Sequence, residues 1–116
     1  MNMEKYFKNT NFIKLLNYEG DSLFRGGVFR VKGKHPYEEK VDFMIFINTI
    51  ERKSEGKIGL IVTSGYKSGS ILILLPDECL CVDGGVSKKW ILENWNKWIY
   101  DCNINEVLFS ENYNII

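Results

Sequence analysis

The chain has 116 residues, with fifteen basic and fifteen acidic side chains, an apolar fraction of 45% and a pI near 6.6. This length suits one domain over residues 1–116, large enough to fold without a metal or disulfide staple, and the apolar fraction argues against disorder. The neutral charge balance argues against a dedicated nucleic-acid binder, whose affinity comes mainly from neutralising phosphates.

Residues 1–20 are the least regular stretch. The first ten contain no continuous apolar run, so no signal peptide is expected. Phe7, Phe12, Ile13, Leu15 and Leu16 suit a short helix or an irregular arm that ends at Gly20-Asp21. Strand-like segments follow. Leu23-Phe24 leads into a Gly26-Gly27 turn, residues 28–31 alternate apolar with basic, and the Gly33–Pro36 region breaks the pattern. Residues 40–47 begin as an alternation and become solidly apolar, which places them centrally in a sheet. Residues 51–57 form a polar connection. Segments 59–63 and 70–75 flank a Ser/Gly-rich loop and read as a hairpin. The longest apolar runs, 43–47 and 71–75, are five residues each and far short of a membrane span, so a soluble cytoplasmic chain is expected.

All three tryptophans lie within nine residues, between Trp90 and Trp98. At about 100° per residue, Trp90, Ile91, Leu92, Trp95, Trp98 and Ile99 share one side of a helix. Lys89, Glu93, Asn96, Lys97 and Tyr100 take the other. Ser87 is placed to cap this helix, and Gly84-Gly85 ends what precedes it. A last short strand is expected at residues 106–109. Short hairpin connections favour antiparallel pairing over βαβ crossovers. The expected fold class is therefore α+β, a mainly antiparallel sheet with one Trp-rich helix packed on one face.

No constellation for catalysis stands out. His35 is the sole histidine and reads as a loop residue, with no partner acid at diagnostic spacing. Cys79 and Cys81 are separated by one residue, which departs from the usual zinc knuckle, so neither metal nor cofactor is expected. Together with Cys102, they read as free thiols. Residues 64–70 lack the glycine spacing of a phosphate loop and fit a hairpin turn better. Arg25-Gly26-Gly27 reads as a turn. Asn94 falls inside the apolar arc of the helix, where its amide is expected to satisfy a backbone group. Three weak acidic clusters, Glu38-Glu39 with Asp42, Glu51 with Glu55, and Asp77-Glu78 with Asp83, read as solvated edges.

Five segments in combination, Leu23-Phe-Arg-Gly-Gly-Val28, Val41-x-Phe-Met-Ile-Phe46, Leu60-Ile-Val-Thr-Ser-Gly65 with Lys67 and Gly69, Leu74-x-Pro76, and Ser87-x-x-Trp90-x-x-x-Asn94-Trp95-x-x-Trp98-x-Tyr100, resemble a family of bacterial immunity proteins. That family, immunity protein 45, belongs to polymorphic-toxin and contact-dependent growth inhibition systems. The resemblance covers roughly residues 20–113. It implies a cytoplasmic, non-catalytic protein that neutralises the C-terminal domain of one cognate toxin, expected to be a nuclease, by stoichiometric occlusion. It carries over no binding residues. From the residues themselves, Arg25, Tyr37, Tyr66 and Tyr100 are candidate anchors, because a packed core does not need them. Glu38, Glu39, Asp77, Glu78 and Asp83 are candidate acids for steering a basic toxin surface. Two alternatives differ in class. One is a small thiol enzyme using Cys81 or Cys102 with His35, which alkylation of the thiols would inactivate. The other is a ligand or nucleic-acid module that stacks on exposed indoles.

Overall fold

The computed structural model describes residues 12–34, 39–48 and 57–113. A six-stranded sheet is formed by β1 (Ile13–Lys14), β3 (Val28–Lys32), β4 (Lys40–Ile47), β5 (Ile58–Val62), β6 (Ile71–Leu74) and β8 (Leu108–Ser110). Its spatial order is β1-β8-β3-β4-β5-β6, and every pairing is antiparallel. A two-stranded ladder joins β2 (Ser22–Leu23) to β7 (Val86–Ser87). The helix α1 (Lys88–Asn94) covers one face of the sheet, giving the expected α+β architecture.

Alternation along the strands sorts their side chains. Phe29 and Val31 of β3, Val41, Phe43 and Ile45 of β4, Ile58, Leu60 and Val62 of β5, and Phe109 of β8 are all buried. Cross-strand register aligns Phe109, Phe29, Phe43 and Val62 in one row beneath the helix. Ile91, Trp95 and Ile99 come down from above, and the Trp95 ring lies 5.2 Å from that of Phe29. Tyr18 closes the β8 side, edge-on to Phe109 at 5.0 Å.

Ser87 caps the helix as its position suggests, its Oγ accepting from the Trp90 N–H at 3.1 Å. The regular helix then stops sooner than the pattern implies. Residues Trp95–Ile99 form a π turn, with the Tyr100 N–H reaching back five residues to the Trp95 carbonyl. Asn94 sits at the junction, and its Nδ2 donates to the Trp90 carbonyl at 2.9 Å, the backbone-satisfying role expected of it. The wider turn changes which residues face the sheet. Trp95 is 1% exposed and Ile99 stays buried, while Trp98 rotates outward to 43% exposure. There Trp98 packs on the half-buried Trp90, with centroids 6.2 Å apart. A single α-helical phase puts Trp98 over the sheet; the π turn is why it is not there.

The outer sheet face holds a second departure from the sequence reading. Asp42, grouped above with solvated acids, is 4% exposed. It lies directly across from Arg30, which donates from Nε at 2.8 Å and from Nη2 at 3.0 Å. Tyr113 donates its hydroxyl to the second carboxylate oxygen at 2.8 Å, and the Thr63 hydroxyl lies 2.6 Å from the Tyr113 oxygen. The guanidinium also lies 4.0 Å from the ring centre of Phe12. The Asp42 hydrogen bonds raise the Arg30 pKa. Burial, opposed by the Thr63 hydrogen bond and reinforced by the carboxylate, pushes the Tyr113 phenol up to about 12. Its stabilisation is therefore complete below the ordinary tyrosine value of about 10 and is lost as pH rises through about 12. The stability gap between the parent chain and Tyr113→Phe, followed by urea denaturation, is expected to narrow across that window. A gap that stays constant there refutes the coupling.

Candidate functional site

A surface site is assembled from three segments distant in sequence. Phe24 and Arg25 occupy the turn after β2, Ile47 ends β4, and Asp83 and Gly84 lie in the turn before β7. Together they line a cavity of about 520 Å³. The first turn is fixed by an N–H···O bond from Gly27 to the Phe24 carbonyl at 2.9 Å. It is tied to β4 through Gly26 N–H to the Ile45 carbonyl, also at 2.9 Å. Gly26 and Gly84 both have φ of 89°, a region that disfavours any side chain, so each glycine is required by its turn. The Asp83 turn closes through Gly84 N–H to Cys81 and Cys81 N–H to Gly85, at 3.0 and 2.8 Å.

The walls of this cavity are apolar and open. Phe24 is 50% exposed and Ile47 is 39% exposed. The two charged groups differ in their commitments. Asp83 accepts from the Gly85 N–H at 3.0 Å, and this bond, with a further one from Ser22, holds its carboxyl below the usual carboxylate range. Arg25 is exposed, and no hydrogen bond or ion pair engages its guanidinium among the described residues. A guanidinium with no partner among the described residues, beside an exposed aromatic ring and an exposed aliphatic side chain, is the composition of an interface hot spot.

The other sequence candidates are dispersed. Tyr66 stands 66% exposed in the β5–β6 loop, with the Lys67 ammonium 5.8 Å from its ring centre. Asp77 and Glu78 are exposed on the 3-10 turn after Pro76. Glu39 is exposed on a shallow concavity with Lys32, Lys40 and Glu106. Tyr100 is half-buried rather than outward: its ring lies 5.5 Å from that of Phe43, and its hydroxyl accepts from the Lys34 N–H at 2.8 Å. Tyr37, Glu38 and His35 lie outside the described residues, as do Glu51 and Glu55. Of the sequence candidates, Arg25 and Asp83 line this cavity; Phe24 and Ile47, which line it too, were not among them.

Cys79 and Cys102 are poorly set for nucleophilic chemistry. Burial pushes Cys79 up to about 11 and also raises Cys102, whose sulfur accepts from the Trp95 indole N–H at 3.3 Å. A nucleophilic cysteine needs the opposite shift. Among the described residues, no three His, Cys, Asp or Glu side chains converge as metal ligands, and no helix is long and apolar enough to cross a membrane.

No curated protein and no solved structure matches the chain. The sequence model of a family described as immunity protein 45 matches residues 15–109, a span that contains every described wall of the cavity. The chain belongs to the immunity protein 45 family.

Proposed function

We propose that this chain neutralises a bacterial toxin domain in the cytoplasm by docking it, one to one, on the cavity around Arg25. Family membership supplies the immunity function and a toxin protein as the partner. The observation that carries the choice of surface is the Arg25 guanidinium, uncommitted among the described residues, beside exposed Phe24 and Ile47. Binding alone is sufficient for this role, and no step requires catalysis by this chain. It must be tight, because one escaped toxin molecule turns over many times. A Kd of ~1 nM corresponds to about −12 kcal/mol. A standard interface takes about 800 Å² from each partner, about a tenth of the 7753 Å² exposed here.

The toxin we propose is a nuclease. Glu39, Asp77, Glu78 and Asp83 are exposed and suited to draw in a basic substrate-binding surface, which the docked protein then occludes. The test is co-expression with a candidate cognate toxin domain. The two are expected to co-purify at equal stoichiometry, and the toxin's activity is expected to fall to background at one equivalent. Catalytic inactivation of excess toxin, or loss of protection after alkylation of the thiols, would favour the enzyme reading instead.

A further inference from the structure

A second pocket lies beside the Arg25 cavity, at the same end of the sheet. Ser110 of β8 pairs with Val28, the residue that follows the Gly26-Gly27 turn. Phe109 lines one cavity and Phe24 the other, and Gly27 touches both: a Cβ there would come within 2.8 Å of the Phe109 ring and 3.0 Å of the Phe24 carbonyl. The second pocket holds about 220 Å³ and is lined by Ile13, Tyr18, Phe109, Ser110, Glu111 and Asn112. Its two sides are held in place. The Tyr18 carbonyl accepts from the Lys88 ammonium. The Ser110 hydroxyl donates to the Asn112 carbonyl at 2.5 Å, closing the turn that carries Glu111, and Tyr113 ties the far end of that turn to Asp42. Across the pocket, the Tyr18 hydroxyl donates to Glu111 Oε1 at 3.1 Å. Burial first, then this hydrogen bond and the carboxylate charge, raise the Tyr18 phenol, so it stays a donor at neutral pH. The exposed Glu111 carboxylate keeps most of its acceptor capacity, and no cation pairs with it among the described residues.

We propose that this pocket receives an arginine side chain of the toxin domain, its guanidinium on Glu111 and its flat face against the Tyr18 ring. The inference rests on the toxin-docking function proposed above and adds a second contact to it. A carboxylate set among aromatic and aliphatic walls is complementary to a cation on an apolar stem. Arginine fits better than lysine, because its planar fork bonds a carboxylate in pairs and stacks on a ring, where an ammonium is a point charge. The volume suits one side chain, since a drug-sized ligand takes about 300 Å³ or more. Position supplies the partner: a protein docked over Arg25 with a footprint of about 800 Å² also covers a pocket one glycine away. The two sites carry opposite charges. Arg25 selects an acid and Glu111 a base, so a toxin must present both in the right order, a discrimination that neither site gives alone.

Titration calorimetry of the full chain against a toxin domain that the parent chain binds tests this. Glu111→Gln removes the charge but keeps an acceptor for Tyr18, and is expected to weaken binding about tenfold or more with an unchanged urea midpoint. Tyr18→Phe keeps the ring and releases the carboxylate, and is expected to weaken binding less. Replacing the toxin's arginines by alanine one at a time is expected to uncover one whose loss is not additive with Glu111→Gln, the mark of a direct pair. If Glu111→Gln binds like the parent while Arg25→Glu does not, this pocket is overturned and the Arg25 reading stands. Parental affinity in both variants overturns the two together. A loss at Glu111 that is additive with every toxin arginine overturns the arginine as occupant.

Discussion

Replacing Arg25 with glutamate is expected to weaken toxin binding about a hundredfold or more while leaving the fold unchanged. Exposed arginine anchors seated among apolar side chains are worth about 2–4 kcal/mol at an interface centre, and reversing the charge adds repulsion from whatever group the guanidinium meets. Nothing in the described structure relies on this side chain, so its effect on stability should stay within about 0.5 kcal/mol. Arg25→Lys separates the contributions. It keeps the charge but loses the planar fork, and an intermediate affinity is the expected result. Phe24→Ala, on the same turn, should weaken binding through lost apolar contact without the strong salt dependence of the Arg25 variants. Titration calorimetry against the cognate toxin domain decides the matter. If Arg25→Glu binds like the parent chain, the docking surface lies elsewhere, and Tyr66 at its exposed loop becomes the stronger candidate.

The second large effect concerns the core. Trp95→Ala is expected to cost about 3–5 kcal/mol, a large share of the 5–15 kcal/mol that holds a typical domain together. Three contacts are lost at once. The indole leaves a cavity beneath the helix, Phe29 loses its tilted ring partner, and Cys102 loses the donor to its sulfur. Trp98→Ala removes a side chain of the same size and should cost far less, about 1 kcal/mol or below, because 43% of Trp98 faces solvent. Urea midpoints for both variants measure the contrast. Equal destabilisation would mean that the helix runs on in a single α-helical phase and that the π turn is wrong.

The contrast between these tryptophans also marks the boundary of what the sequence revealed. Elements defined by neighbours in sequence were legible. The alternation in residues 28–31 and 40–47, the Ser/Gly loop between β5 and β6, and the Ser87 cap all act over a few residues, and all appear where the pattern put them. Features that depend on distant partners were not. Asp42 looks like any strand acid until Arg30 is seen across the ladder and Tyr113 arrives from 71 residues away. The β2–β7 ladder has only two residues per strand, too few for a periodic signal. The π turn is set by the junction at Asn94, and a wheel drawn with one fixed angle has no place for it. The cavity around Arg25 was half legible for the same reason. Its charged residues were conspicuous singly, but Ile47 joins them only once β4 has been laid beside the turn at Phe24.

The insertion of β8 between β1 and β3 has a consequence for synthesis in the cell. Residues 28–74 include four adjacent strands that can pair as soon as they leave the ribosome. Ile13 and Lys14, made earlier, have no neighbour until Leu108 to Ser110 emerge and slide in beside them. Long-range closures of this kind are slow relative to hairpin formation. A nascent chain stalled before its eighth strand therefore leaves the β1 and β3 edges unpaired, and the sheet is complete only once that strand has been translated and threaded home.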